Sequence, residues 1–241
     1  MMYTALARVY DLLSYDFDYP AWTERYESMI RRVHPDAVEI CDAGCGTGAL
    51  TIGLSQKGYR LIGIDLSGDM LSVASDKARK AGQRIAFVKQ DMRKLQLPHP
   101  VDAVISACDG VNYLNRPESV ISFFSAAWQN LTPGGALAFD VSNRFKLEKM
   151  GREPLYAEET DDCAYIWQNE FDAENAVLRM DISFYIKGED GKYERFCETH
   201  KQKAWKREEI VSLLTQAGFC DIEAVGTDGD EEGRIYFSAR K

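Results

Sequence analysis

Apolar positions along the 241-residue chain follow two different periods. Up to about Arg144, short runs that are apolar on both faces alternate with stretches whose apolar residues recur every three or four positions. Val38-Glu39-Ile40-Cys41 ends at Asp42, Arg60 to Ile64 ends at Asp65, and Ile85 to Val88 is followed by Asp91. Ala103 to Ala107 and Ala136 to Phe139 complete the set, the last ending at Asp140. Strands this short and this apolar predict a parallel sheet covered by helices. Between them, Ser67 is placed to cap a helix whose inner face is Met70, Val73, Ala74 and Ala78. Pro117 suits the first position of a helix that buries Val120, Phe123, Phe124, Ala127, Trp128 and Leu131. Alternation of this kind implies an α/β, doubly wound sheet with right-handed crossovers.

Beyond Arg144 the period shortens to two. Leu178, Met180, Ile182, Phe184 and Ile186 alternate with Arg179, Asp181, Ser183 and Lys187, the pattern of a half-exposed antiparallel strand. Glu189-Asp190-Gly191 turns the chain into a second extended run, Tyr193 to Trp205. Residues 145–205 therefore read as an antiparallel β insertion over the parallel sheet, dividing the chain into 1–144, 145–205 and 206–241. The last part returns to α/β form, with a helix carrying Ile210, Leu213, Leu214 and Ala217, stopped by Gly218. A hairpin around Gly229 to Gly233 closes the chain.

Charge and composition narrow the partners. A net charge of −9 disfavours polyanions, so neither nucleic acid nor an anionic membrane is expected as a partner. Lys201, Lys203, Lys206 and Arg207 read as a solvated strand edge and helix start. No stretch approaches the ~20 apolar residues of a membrane span, and the first residues lack a secretory layout, so a cytoplasmic location is expected. The six cysteines form no C-x-x-C pair and are expected as free, buried thiols. The three histidines are scattered, and no metal site is expected.

The residues with chemistry begin at Asp42-Ala43-Gly44-Cys45-Gly46-Thr47-Gly48, directly after a strand and before a helix. Glycines there permit positive φ and close approach of a ligand to the backbone, and the helix beyond offers free N–H donors. The turn also satisfies a dinucleotide pattern, as Gly44-x-Gly46-x-x-Ala49, with Asp65 placed to meet ribose hydroxyls. Asp42 separates the readings: its carboxylate is unwelcome beside pyrophosphate but suits a ligand bearing an ammonium and a sulfonium. Gln90-Asp91-Met92 offers an acceptor and a flat apolar side chain fitting an adenine amino group and ring. Leu131-Thr132-Pro133-Gly134-Gly135 leads into the fifth strand.

Together with Gly63-Ile64-Asp65-Leu66-Ser67, Met70 and Ala217-Gly218-Phe219, these motifs resemble the class I S-adenosylmethionine-dependent methyltransferases, from about Tyr3 to the C-terminus. Tyr10-Asp11-Leu12 and Asp18-Tyr19-Pro20-Ala21-Trp22 resemble a small bacterial branch near the deoxyamino-sugar N,N-dimethyltransferases. The resemblance implies a three-layer, Rossmann-like, seven-stranded sheet, mostly parallel, whose last strand, Ile235 to Arg240, runs antiparallel. It implies S-adenosylmethionine as cofactor and S-adenosylhomocysteine as product. Asp65 would then take both ribose hydroxyls, and Asp42 with the Gly44-Cys45-Gly46 backbone the methionine end. Asp91 would accept from the adenine amino group while Leu66, Met70 and Met92 sandwich the ring, and Tyr10 would close as a lid. Tyr10 and Trp22 could equally be packing anchors. Asp140 reads as a turn acceptor.

An activated methyl donor leaves the protein to position, desolvate and, where needed, remove a proton. Cys108-Asp109-Gly110-Val111-Asn112-Tyr113-Leu114 falls where relatives line the transfer pocket, which makes Cys108 a cofactor contact and Asp109 and Tyr113 catalytic candidates. It lacks the Asn/Asp-Pro-Pro-Tyr sequence of adenine and glutamine methylation. On the run Phe196, Glu198, His200, Gln202, the polar residues share a face; His200 is the general-base candidate, against the reading of a solvent-facing polar strand. The acceptor expected is a small-molecule amine or hydroxyl compound. The competing readings are tRNA or protein methylation, a non-catalytic S-adenosylmethionine sensor and a nicotinamide oxidoreductase. Monomer and homodimer both remain open, the second through an exposed face of 145–205.

Overall fold

The structure, a computed structural model, describes residues 18–161, 163–188 and 190–241. Tyr10 lies outside the described residues, as does the Tyr10-Asp11-Leu12 motif. Helix α1 (Tyr19–Val33) opens the described part, with Asp18 accepting from the Ala21 N–H and Pro20 in the first turn. Strands β1 (Glu39–Ala43), β2 (Arg60–Asp65), β3 (Ala86–Lys89), β4 (Val101–Ser106) and β5 (Leu131–Ser142) alternate with helices α2 (Ala49–Gln56), α3 (Gly68–Lys80) and α4 (Pro117–Asn130). After β5 come α5 (Arg144–Arg152) and strands β6 (Leu155–Glu159), β7 (Cys163–Asp172), β8 (Val177–Lys187) and β9 (Tyr193–Lys203). Helix α6 (Arg207–Gln216) and strands β10 (Cys220–Val225) and β11 (Arg234–Arg240) complete the chain.

The main sheet has seven strands in the order β10-β11-β5-β4-β1-β2-β3. β11 runs antiparallel to both neighbours, while the pairs among β1 to β5 are parallel. Because side chains alternate across a strand, this sheet feeds two cores. Ile40, Ala103, Ile105 and Ala138 pack with Tyr26 and Ile30 of α1 and with Leu50 and Leu54 of α2. Cys41, Val104, Leu137 and Phe139 pack on the other face with Phe123 and Phe124 of α4 and Ile210 and Leu214 of α6. There the Phe139 and Phe237 rings stack with centroids 5.1 Å apart. Two expected core positions are more open. β3 is an edge strand with Val88 exposed, and Trp128 is 37% exposed, its ring covered by the Lys241 ammonium at 4.3 Å.

A second sheet, β6-β7-β8-β9, is wholly antiparallel. Its inner face buries Tyr165, Leu178, Met180, Ile182 and Phe184 together with Leu147 of α5, and the same cluster includes Met70 of α3. Arg179, Thr199 and Lys201 stand on its exposed outer face. All six cysteines are unpaired, but not all are buried: Cys197 lies on that outer face and Cys220 begins the edge strand β10, so both are exposed. Among the described residues no helix is long and apolar enough to cross a membrane. Nor is any group of three or more His, Cys, Asp or Glu side chains among them arranged to hold a metal ion.

Candidate active site

A cleft opens at the carboxyl ends of β1, β2 and β4, where parallel sheets bind ligands. The chain leaves β1 in a turn with Gly44, Gly46 and Gly48 at φ of +85°, +53° and +75°, a conformation open to glycine at little cost. Two backbone bonds pin the turn to β2, from the Gly44 and Cys45 N–H groups to the Ile64 carbonyl at 2.8 and 2.9 Å. Asp65 braces it further. One of its carboxylate oxygens accepts from the Gly46 N–H at 2.9 Å and the other from the Ser67 N–H at 2.8 Å. Asp42, Gly44, Cys45, Gly46 and Asp65 all line the cleft, as do Leu66, Met70, Gln90 and Met92. Met70 therefore serves both a wall of the cleft and the core of the second sheet.

The chemistry of this end is set by Asp42. It is 2% exposed, and its Oδ2 accepts from the Thr51 hydroxyl at 2.6 Å. Its Oδ1 has no hydrogen-bond partner among the described residues. Burial pushes the carboxyl up to about 7, with Asp65 adding and the Thr51 bond opposing. A buried carboxylate oxygen left open is costly without a partner, and an ammonium group supplies one. Burial also raises Asp65, against the N–H groups of Ser67, Gly46 and Leu66. Its two oxygens offer about four lone-pair sites, so that beside these N–H groups there is room for a further donor.

Asp91 departs from expectation. Its carboxylate is engaged by the Arg93 N–H and guanidinium at 2.6–3.0 Å, capping the short helical turn Met92–Lys94. The Arg93 hydrogen bonds hold it below the usual carboxylate range, against burial. It is not among the residues lining the cleft, whereas its neighbour Gln90 is. Adjacent residues leaving a strand point to opposite sides, a signal that could have favoured Gln90.

The far end of the cleft is the loop after β4, through Ala107, Cys108, Gly110 and Tyr113. Cys108 and Asp109 are consecutive non-glycine residues at positive φ, +57° and +66°, a conformation that costs of order 1–3 kcal/mol per residue. Both of their N–H groups donate to Asp140, at 2.9 and 3.3 Å. Asp140 is thus no turn acceptor: it sits inside β5, fully buried, and also accepts from the Tyr26 hydroxyl at 2.6 Å. Arg234 of β11 bridges Asp140 and Asp109 through one guanidinium nitrogen. The Ser142 hydroxyl donates to Asp109 at 2.7 Å. Burial opposes the Arg234 charge, yet the two carboxylates hold it firmly protonated. Burial works against Asp109 too, but Arg234 and Lys146 keep it below its ordinary value; burial and the neighbouring Asp109 charge keep Asp140 above its own. The Asp109 side chain therefore belongs to a structural ion network and does not line the cleft.

Tyr113 does line the cleft, and the second sheet stands behind it. The Asn112 amide donates to the Ser142 and Lys203 carbonyls at 2.9 and 2.8 Å, joining this loop to β5 and to the end of β9. The His200 ring meets Tyr113 edge to face with centroids 5.9 Å apart. His200 Nε2 lies 3.1 Å from a Glu198 carboxylate oxygen. Glu198, His200 and Gln202 are all buried, at 7, 2 and 7% exposure, so this face of β9 is interior, contrary to the solvent-facing reading. His200 itself does not line the cleft, whereas Tyr113, which its ring touches, does. Trp22 is a packing anchor: its ring stacks on Tyr26 at 6.0 Å and lies under the Arg234 guanidinium at 4.8 Å. Tyr19, which the sequence offers only within the Asp18-Tyr19-Pro20-Ala21-Trp22 motif and without a role, is also in the cleft wall. Tyr26 and Arg234 have no local motif to announce them.

A parallel sheet with a glycine turn after β1 and an acidic residue closing β2 defines a nucleoside-cofactor-binding α/β protein. A methyltransferase-domain family model matches residues 40–135. A putative methyltransferase of Bacillus subtilis, YqeM, is 35% identical over all of this chain and 98% of its own length. The dTDP-3-amino-3,4,6-trideoxy-alpha-D-glucopyranose N,N-dimethyltransferase of Streptomyces venezuelae is 30% identical, covering 96% of this chain and 95% of its own. A crystal structure of an S-adenosylmethionine-dependent methyltransferase from Clostridium acetobutylicum superposes with a TM-score of 0.83 at 29% identity, over 99% and 98% of the two chains. The chain belongs to the methyltransferase family and is an enzyme of its class I, Rossmann-like kind.

Proposed function

We propose that this enzyme transfers a methyl group from S-adenosylmethionine to an amine or hydroxyl of a small molecule that enters from the Tyr113 side of the cleft. The observation that carries the cofactor is the open, buried Asp42 oxygen in a cleft wall that Asp65 also lines. Bound S-adenosylmethionine supplies an electrophilic methyl group on a sulfonium. Asp42 would hold the ammonium end, Asp65 the ribose hydroxyls, and Leu66, Met70 and Met92 the adenine ring, with Gln90 at its edge. The fit is chemical: an acidic, pyrophosphate-repelling end followed by an apolar one.

The acceptor reading rests on how the far wall is built. Tyr113 is backed by a buried imidazole–carboxylate pair that the second sheet delivers, and β9 is bonded to the same loop. A wall closed in this way favours a small acceptor over a folded macromolecule, and a charge of −9 disfavours RNA. The relatives that methylate an aminosugar and the N-terminus of cypemycin make an amine the first class to try. His200 and Glu198 act on the acceptor through Tyr113, fixing its ring.

The test is calorimetric titration of wild-type protein and Asp65→Ala with S-adenosylmethionine and with nicotinamide cofactors. It is followed by a screen of amines, aminosugars and alcohols read by release of S-adenosylhomocysteine. Micromolar-range binding that weakens about tenfold or more in Asp65→Ala is expected, since two charge-assisted bonds are lost. Turnover should follow with an amine. Binding of the nicotinamide cofactor alone would overturn the reading. Turnover confined to RNA, with affinity collapsing as salt rises, would overturn the acceptor class.

A further inference from the structure

Two residues that touch neither the cleft nor each other in sequence hold its far wall. Cys108 and Asp109 are in a left-handed backbone conformation with no glycine to ease it, and both N–H groups converge on the Asp140 carboxylate. Asp140 could not stay ionised and fully buried alone. Arg234 supplies the countercharge, the Tyr26 hydroxyl a further bond, and the Arg234 guanidinium lies over the Trp22 ring. The same Arg234 nitrogen reaches Asp109, with Lys146 at 3.8 Å from the other Asp109 oxygen. Two carboxylates and two cations thus balance around a loop whose Cys108, Gly110 and Tyr113 face the cleft.

We infer that Asp140 and Arg234 are positioning residues for the methyl-acceptor end of the cleft: they clamp the Cys108–Asp109 backbone in its left-handed form and so place Cys108, Gly110 and Tyr113. The clamp as a structural device stands on the geometry alone; its service to methyl transfer rests on the function proposed above. It predicts that loosening the clamp disturbs the acceptor end while leaving the Asp42 and Asp65 end in place.

Cys108 is a natural reporter, because its thiol lies in the loop while Cys45 lies at the opposite end of the same cleft and Cys41 and Cys163 are buried in two different cores. Wild-type, Asp140→Asn and Arg234→Lys proteins are treated with iodoacetamide, and alkylation is followed at each cysteine by peptide mass spectrometry. Alkylation of Cys108 is expected to accelerate about tenfold in both variants through local opening, with Cys41, Cys45 and Cys163 unchanged. The backbone amide resonances of Cys108 and Asp109 should shift in Asp140→Asn, where their charged acceptor is lost. Affinity for S-adenosylmethionine should stay within about threefold, far short of the loss in Asp65→Ala. An unchanged Cys108 rate, or one that rises in step with Cys41 and Cys163, would overturn the clamp. A loss of S-adenosylmethionine affinity as large as that of Asp65→Ala would overturn its assignment to the acceptor end. Should Asp140→Asn not fold, Arg234→Lys, which keeps the charge but loses the longer reach and the planar guanidinium seated over the Trp22 ring, carries the test. Failure of the wild type to bind S-adenosylmethionine would strike the proposed function and leave the cysteine result to judge the clamp separately.

Discussion

The two ends of the cleft are built in opposite ways. At the glycine-turn end, the bonds that shape the site join neighbours in sequence: Thr51 to Asp42 across 9 positions and Gly46 to Asp65 across 19. At the far end, Tyr26 reaches Asp140 across 114 positions, Arg234 reaches Asp109 across 125, and Asn112 reaches Lys203 across 91. The bonds that shape the first end fall within one contiguous βαβ unit. The second requires β5, the second sheet and β11 to be in place. This division suits an enzyme in which one ligand is fixed and the other varies. A local motif can be kept intact while the remote elements that wall the far end are exchanged.

The largest effect expected from breaking this contrast is on the remote end. Arg234→Ala leaves two buried carboxylates facing each other, and removing one partner of a buried pair costs about 3–5 kcal/mol. Chemical denaturation should show that loss, and a change below about 1 kcal/mol would mean that the network is not ionised as described.

At the local end, Gly48→Ala should cost less, about 1–3 kcal/mol. Gly48 has φ of +75°, and an added Cβ would stand 2.9 Å from the Ala74 Cβ and 3.2 Å from the Phe87 ring. The same denaturation measurement should be paired with a cofactor titration. Stability lost with cofactor affinity retained would show that the turn tolerates distortion.

pH offers a third test. Burial raises Asp42 to about 7, above the ordinary value it regains on unfolding. The folded, ligand-free protein then binds an extra proton between about pH 4 and 7, so this group's contribution to stability declines as pH rises through that window. An ammonium ligand needs the ionised form. Affinity for S-adenosylmethionine should therefore strengthen as pH rises towards 7 and level off above it, by at most about tenfold per pH unit. Calorimetry in buffers of different ionisation enthalpy should register proton release on binding at pH 6. Affinity flat from pH 5.5 to 8.5 would remove Asp42 from the ammonium contact.

The smallest effect is expected at Asp91→Asn. Its partner is Arg93 on the protein surface, and exposed pairs of this kind contribute about 0–1 kcal/mol. Cofactor affinity within about twofold of wild type would confirm that the adenine edge is served by Gln90 and its neighbours, while a tenfold loss would restore Asp91 to that role.

Much of the fold was legible because period and turn chemistry are local. The five parallel strands, Ser67 as the cap of α3 with its hydroxyl accepting from the Met70 N–H, Pro117 opening α4 and the alternation of β8 all depend on neighbours within a turn or a pleat. The Asp42–Gly48 turn and Asp65 were legible for the same reason. Where alternation was read without knowing what covers it, the reading failed. The Glu198, His200 and Gln202 face of β9 is polar in sequence but interior in the fold, because the loop of Tyr113 closes over it. Asp140 has the sequence context of any aspartate closing a strand, and nothing near it announces that Arg234, 94 positions later, will neutralise it. The chain by itself determined its layers and the glycine-turn end of its cleft, since hydrophobic period and glycine φ act over a few residues. Only the tertiary structure decided the far end, because the energy of a buried charge is fixed by which distant group arrives beside it.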